Sequence, residues 1–313
     1  QQYQAQQSTL KDQLSAYQEV NTRLLALQDA VGQLATPTLF SSSAATSSNT
    51  GVVNATAANG ATPGQYALTV QTLARAHQVV SQDFSDLNTT SVGTGSFAIT
   101  SGGQTTTINV DGSDNTLSGL RDAINHANTN IGASIVQDGS SAYRLMIYSK
   151  QTGTANALTI NSTLSGGTGP TFSDLQTAQD ATIQLGSGSS AITSVRSSNT
   201  IQDLIPGVTL NLVSASPSTP VTVSVAQDTT TIQTAVQKFV DQYNNVADYV
   251  NQQFNYNADT KQGGTLLDDF ALQQVQSQLQ QLVAGSSGGA SNQGLASVGI
   301  SMDDNGKLTL NAA

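Results

Sequence analysis

The chain of 313 residues contains no cysteine, no tryptophan and only two histidines. Disulfides, thiolate metal sites, CxxC redox chemistry and a cysteine nucleophile are therefore excluded. His77 and His126 lie far apart in sequence, which leaves little scope for metal chemistry, and no cofactor is expected. Charge is scarce as well. Asp, Glu, Lys and Arg make up 10% of the residues, where about 25% is usual in a soluble domain, so the surface must be polar but largely uncharged. Twenty acidic against ten basic residues leave a net charge of −10, which opposes both nucleic acid and anionic membrane as partners. No run approaches the roughly 18 apolar residues of a membrane helix. The opening QQYQAQQSTLK has neither the basic region nor the apolar core of a signal peptide. What fills these gaps is Ser, Thr, Asn, Gln and Gly, a composition that suits an extracellular assembly protein.

The texture along the chain runs helix, strands, helix. Tyr3, Leu10, Tyr17, Leu24 and Val31 recur at seven-residue intervals, and Leu14, Leu27 and Leu34 fill the adjoining seam. This spacing predicts a long helix with a coiled-coil-like face, interrupted where Asn21 and Gln28 take apolar seam positions. Pro37 ends it, and the aperiodic SSSAATSSNTG that follows reads as a linker. From Gly51 to Ala226 short β-prone runs alternate with Gly, Asn-Gly and Pro turns, including 66–70, 96–100, 106–110, 144–148, 157–160, 208–212 and 221–225. One helix interrupts them: Leu117, Leu120, Ala123, Ile124 and Ala127 share a face behind Thr116, a good N-cap. After Asp228 the helical period returns in Ile232, Val236, Phe239, Val240, Tyr243, Val246, Val250 and Phe254. A second stripe, Leu266, Phe270, Val275, Leu279 and Leu282, follows Gly263-Gly264, and the last segment predicts a hairpin turning at Asn305-Gly306.

No catalytic signature has its required context. Residues 285–289 fit G-x-S-x-G, but they follow a helix and open a Ser/Gly-rich loop instead of joining a strand to a helix. Gly186 to Ala191 resembles a degenerate dinucleotide fingerprint, yet strand-like AITSV follows where a helix N-terminus is needed. Neither histidine has clustered partners, so each is expected as a solvated or interface residue. Asp303 to Lys307 lacks the alternating ligands and distant Glu of a calcium loop. The expectation is a protein that is not an enzyme.

Several segments together resemble the flagellar filament capping proteins, also called flagellar hook-associated protein 2. Gly64 to Ala74 is similar to the strand that leads into their head region. Thr116 to Asn125, followed by Gly132 to Val136 and Arg144-Leu145, resembles the Ile-Asn motif shared among flagellar axial proteins. More specific are Arg196 to Leu210 (RSSNTIQDLIPGVTL), Phe239 to Asn244 (FVDQYN), and Leu295 to Ile300 continuing to Gly306-Lys307-Leu308. The resemblance implies an α+β multidomain protein. A helical coiled-coil-like stalk from both chain ends, 1–48 and 229–313 with the C-terminal hairpin, carries two inserted β-rich head domains. The proximal one is 49–83 with 180–228, and the distal one, containing one helix, is 84–179. It further implies a closed homo-oligomeric ring at the distal end of the growing flagellum that retains exported flagellin and helps it fold and insert. Flagellin and other hook-associated proteins would be partners, and the protein would leave the cell by flagellar export without a cleaved signal peptide. Family members carry further terminal segments, so the chain reads as a core fragment. Tyr3, Leu10, Tyr17, Leu24, Val240, Tyr243 and Phe254 are the candidate stalk, oligomer or flagellin contacts. The alternatives are a host mucin or glycan adhesin, which would need exposed aromatics among Tyr66, Phe84, Phe97, Tyr143, Tyr148 and Phe172, or a filament or junction subunit.

Overall fold

Apolar spacing at each end of the chain produces helices, and the alternating centre produces sheets. In the computed structural model, which describes residues 2–127, 130–137, 139, 142–257, 262–284 and 295–311, the helices are Gln2–Leu34 (α1), Pro37–Phe40 (α2), Leu117–His126 (α3), Thr229–Phe254 (α4) and Phe270–Ala284 (α5). The chain divides into two units, Gln1–Ser42 with Gln227–Ala313 and Ser43–Ala226. The first is helical and the second β-rich, giving an α+β fold.

In the helical unit α1 packs on α4 around Ala16, Val20, Leu27, Val240, Tyr243, Val246 and Val250, and Ala30 is buried as well. The seam on α1 is not the predicted Tyr3–Leu10–Tyr17 row but its neighbour, in which Ala16, Val20, Arg23, Leu27 and Ala30 follow a 4-3-4-3 spacing. Alanine admits close approach of the two backbones where tyrosine would hold them apart. The predicted row is therefore turned outward, with Tyr3 87% and Leu10 66% exposed. Arg23 occupies the one polar place in this seam. Its guanidinium lies 4.7 Å from the Tyr249 ring centre, donates to the Asn245 carbonyl at 3.2 Å and pairs with Glu19 at 2.8 Å. Arg23→Ala is expected to lower stability by about 1–2 kcal/mol, because it removes the stacking together with the aliphatic stem. Urea denaturation, compared with Arg23→Lys as the charge-keeping control, checks this.

Helix ends in this unit are fixed by carboxylates. Asp228 accepts from Thr231 N at 3.0 Å and from its hydroxyl at 2.6 Å, which holds its carboxyl below the ordinary value of 3.8. Asp269 caps α5 through Leu272 N at 2.9 Å, and the Tyr17 hydroxyl donates to its other oxygen, joining α1 to the start of α5. That hydrogen bond is the main cause that lowers the Asp269 carboxyl and raises the Tyr17 phenol. Both carboxyls are depressed by folding. Their contribution is thus fully present above the ordinary carboxylate range and disappears as pH falls through their lower folded values. Thermal unfolding followed from pH 6 to pH 2 should show this loss, with a shallower slope in the Asp228→Asn, Asp269→Asn double variant.

Leu266, Phe270 and Leu282 do not continue a single buried stripe. Leu266 is buried but precedes α5 in a turn, whereas Phe270 and Leu282 are exposed. The terminal hairpin pairs Ile300–Met302 with Leu308–Leu310 as predicted, and Gly306 supplies the positive φ of 74° that its turn requires.

The β-rich unit holds two cores. Strands are numbered along the chain as Ser43–Ser47 (β1), Val53–Ala57 (β2), Gly64–Thr72 (β3), Ala76–Ser81 (β4), Gly95–Ser101 (β5), Gln104–Val110 (β6), Ile131–Gln137 (β7), Tyr143–Thr152 (β8), Thr159–Ser162 (β9), Phe172–Gln176 (β10), Ala181–Leu185 (β11), Ile192–Arg196 (β12), Thr200–Ile205 (β13), Val208–Leu212 (β14) and Val221–Gln227 (β15). The first core lies among the sheets β1-β15-β3-β11-β12 and β13-β14-β2, with Leu68, Ile183, Val223, Ile201, Ile205 and Leu210 buried. Alternation in β14 and β15 puts every second residue inward, as half-buried antiparallel strands require. The second core joins the sheets β10-β4-β8-β7 and β6-β5-β9 to α3 through Phe97, Ile99, Leu117, Leu120, Ile124, Leu145 and Ile147. Thr116 caps α3 as expected, accepting from Gly119 N at 3.1 Å. The serine-rich run read as a linker instead supplies β1. Its small residues carry no periodic signal, and the open edge of β15 selects the extended form.

Candidate interaction surfaces

Each core is tied by one asparagine whose carboxamide grips both polar groups of another residue's main chain. Asn125, at the end of α3, donates from Nδ2 to the Ala133 carbonyl and accepts from Ala133 N, both at 2.9 Å, binding helix to β7. Asn199, between β12 and β13, accepts from Ala74 N at 2.8 Å and donates to the Ala74 carbonyl at 3.0 Å. Asn244 on α4 accepts from Leu308 N at 2.7 Å and donates to the Leu308 carbonyl at 2.8 Å, fixing the terminal hairpin. A carboxamide carries an acceptor and a donor side by side, so it matches one residue's N–H and C=O. All three lie in the Ile-Asn, SSNTI and FVDQYN segments, but residue pattern alone assigned them no task. For Asn125 and Asn244 the available signal was an asparagine inside a helical run, where its propensity is poor without a specific bond, whereas Asn199, between two strands, gave none.

The candidate contact residues divide into two groups. Val240 and Tyr243 are buried in the helical core, and Leu24 and Phe254 pack against it half-buried. Tyr3, Leu10 and Tyr17 lie exposed on α1 together with Leu14. Tyr17 combines an exposed ring edge with its bond to Asp269.

His77 differs from expectation, since it is buried instead of solvated. Its Nδ1 accepts from Leu158 N at 2.7 Å and its Nε2 donates to Asp174 Oδ1 at 3.1 Å, so both ring nitrogens serve the second core. His126 is exposed and bonds within α3 to the Asp122 carbonyl. Asp303 Oδ1 accepts from Asn305 N and Lys307 N, which commits that carboxylate to the hairpin turn. The Gly186–Ala191 segment is the turn between β11 and β12. Residues 285–289 lie outside the described residues. Among the described residues no group of three or more His, Cys, Asp or Glu is placed to hold a metal, and no helix is long and apolar enough to cross a membrane. The aromatics of the β-rich unit are buried or half-buried: Phe84 and Phe97 are interior, and Tyr66, Tyr143, Tyr148 and Phe172 are partly covered.

Helical segments from both ends of the chain packed together, a β-rich unit between them in sequence, and side chains that grip the chain's own backbone make this a two-unit α+β protein. Comparison with known proteins gives the family. Family models for the flagellar hook-associated protein 2 N-terminus and C-terminus match residues 1–77 and 178–313, and the flagellin hook IN motif matches 96–151. Flagellar hook-associated protein 2 of Escherichia coli (strain K12) is 32% identical, over 98% of this chain and 69% of that protein. The B-type flagellar hook-associated protein 2 of Pseudomonas aeruginosa PAO1 is 28% identical, over 97% of this chain and 69% of its own length. The crystal structure of the D1-D2-D3 domains of the flagellar cap protein from Escherichia coli superposes with a TM-score of 0.72 at 31% identity, covering 95% of this chain and 85% of that one. The chain belongs to the flagellar hook-associated protein 2 family.

Proposed function

We propose that the protein caps the distal end of the bacterial flagellar filament, retaining exported flagellin and promoting its folding and insertion as a closed ring of identical subunits. The observation that carries this reading is the match to flagellar hook-associated protein 2 across 98% of the chain. The helical segments of both chain ends would form a coiled-coil-like stalk facing the filament, and the two β cores would serve as head modules. Tyr3 and Leu10 are the apolar face offered to a neighbour, beside the exposed part of Tyr17, whose hydroxyl is held by Asp269. Leu24, Val240, Tyr243 and Phe254 keep the helical unit together and act on contacts through it.

The mechanism is geometric. Rotational symmetry of a closed ring does not have to match the helical lattice beneath it, so not every leg sits equivalently and one vacancy remains. An arriving flagellin fills the vacancy and shifts the cap by one place. Few fixed ion pairs favour such sliding contacts, since exposed ion pairs contribute only about 0–1 kcal/mol each. The protein would work outside the cell at the filament tip, in contact with other hook-associated proteins and exported by the flagellar route.

Light scattering coupled to size exclusion across protein concentration tests the ring. A discrete, saturating oligomer is the expected result. Growth without limit would point to a filament or junction subunit, and a strict monomer at all concentrations would defeat ring formation. The adhesin alternative draws no support from the covered aromatics of the β-rich unit, because sugar stacking needs exposed rings.

A further inference from the structure

Two Asn-Gly pairs occur in the chain, Asn59-Gly60 and Asn305-Gly306, and both lie in turns. Glycine puts no Cβ beside its own amide nitrogen, so in such a pair that nitrogen can reach the carboxamide carbon of the preceding asparagine. Folding treats the two pairs differently. Asn59 and Gly60 are exposed in the connection between β2 and β3, where Gly60 has a φ of 76°. Ala61 N closes this turn by donating to the Ala58 carbonyl at 3.1 Å. The Gly60 N–H and the Asn59 carboxamide have no hydrogen-bond partner among the described residues. Apart from chain neighbours, no atom lies within 4 Å of where a Gly60 Cβ would stand. The main chain of Asn305-Gly306 is instead held throughout. Asn305 N donates to Asp303 Oδ1 at 2.9 Å, its carbonyl accepts from Asn251 at 3.3 Å, and Gly306 N donates to the Asp303 carbonyl at 3.0 Å. Gly306 is also buried, with Gln280 Nε2 2.6 Å from the position of a Cβ.

We propose that Asn59 is a site of spontaneous modification by ring closure and water, which turns its carboxamide into a carboxylate, and that folding protects Asn305 from the same reaction. Gly60 N gives up its proton and bonds to the Asn59 Cγ. The Cγ–Nδ2 bond breaks, and Nδ2 departs with that proton as ammonia. Water then opens the five-membered imide. Cleavage at Cγ returns a proton to Gly60 N and leaves aspartate, whereas cleavage at the main-chain carbonyl carbon leaves isoaspartate, in which the chain runs through the former side chain. Either product adds one negative charge to a chain that carries −10. The two differ in their effect on the first core. Ala58 N donates to the Gly207 carbonyl at 2.8 Å, and a Cβ on Gly207 would stand 3.0 Å from Ala61 Cα, so this turn packs directly on the turn between β13 and β14. Aspartate keeps the main chain as it is. Isoaspartate inserts a carbon between the two contacts and loosens the pairing of β2 with β14.

The test incubates the full chain in mildly alkaline buffer, native in one arm and unfolded in guanidinium chloride in the other. Peptide mapping by mass spectrometry, with fragmentation that resolves isoaspartate, follows both pairs over time. In the unfolded arm the two pairs are expected to react at similar rates. In the native arm Asn59 stays close to its unfolded rate while Asn305 slows by about tenfold, the size for breaking a main-chain hydrogen bond before the ring can close. Equal native rates at the two pairs, or an Asn59 rate slowed by folding as much as that of Asn305, overturns the proposal. Asn59→Gln keeps a carboxamide but lengthens the side chain beyond five-membered closure, so the turn should stay unmodified. A variant that still gains mass within residues 58–61 overturns the assignment to Asn59. Hydrogen exchange over 53–57 and 208–212 is expected to be faster in the separated isoaspartate form than in the aspartate form, and equal exchange would overturn the loosening.

Discussion

Asn199→Ala is expected to lower the stability of the β-rich unit by about 2–4 kcal/mol, because Ala74 is buried and both its N–H and C=O would lose their partner at once. The loss exceeds that of an ordinary surface substitution because water reaches Ala74 poorly. Asn199→Asp gives a distinguishing second result. Its carboxylate still accepts from Ala74 N, but the other oxygen faces the Ala74 carbonyl, where only the protonated acid can donate. Folding therefore raises that carboxyl above its unfolded value. The stabilisation is present below the unfolded value and is lost as pH rises through the folded one. Urea denaturation at pH 4 and pH 7 checks both variants. An Asn199→Asp protein equally stable at the two pH values would show that the donated bond contributes nothing.

In the helical unit the largest effect falls on Gly264. A Cβ there would lie 2.0 Å from the Gln253 carbonyl oxygen, 2.5 Å from its carbon and 2.9 Å from the Gln252 oxygen, all main-chain atoms of the last turn of α4. Main chain cannot rotate aside as a side chain can. Gly264→Ala must therefore displace the turn and break the bond from Gly264 N to the Asn255 carbonyl, now 2.9 Å. The expected cost is about 3 kcal/mol or more, at the upper end for overpacking. Gly32→Ala is the matched control, since nothing lies within 4 Å of the added atom on α1. There alanine's better helix propensity should raise stability by about 1 kcal/mol. Urea midpoints measure both, and hydrogen exchange over residues 250–272 should rise in the first variant alone. Equal midpoints for Gly264→Ala and wild type would mean that the turn yields freely.

Much of the local structure was legible because it depends on neighbours in sequence. The Thr116 cap, the helix after Asp228 and the alternating runs at 208–212 and 221–225 follow from capping chemistry and periodicity. The Asn305-Gly306 hairpin follows from turn chemistry, and all of these appear where residue pattern puts them. The serine-rich β1 was not legible, because its extended form comes from pairing beside β15 and not from its own side chains. The α1 seam was misplaced by a fraction of a turn. Seven-residue periodicity marks apolar rows but cannot weigh a tyrosine row against an alanine row, and the close approach of α4 favours the smaller residues.

Composition excluded thiol chemistry and made nucleic acid and membrane poor partners, and the order of motifs along the chain carried the family resemblance. Only the tertiary structure showed that His77 is interior, that three asparagines grip distant main chain, and that Val240 and Tyr243 are core while Tyr3 and Leu10 are free. The hydrogen bonds among those assignments join residues 8 to 125 positions apart, and the core residues of α1 and α4 are farther apart still. A hydrogen-bonding side chain reads the same in sequence whether water or a buried amide is its partner.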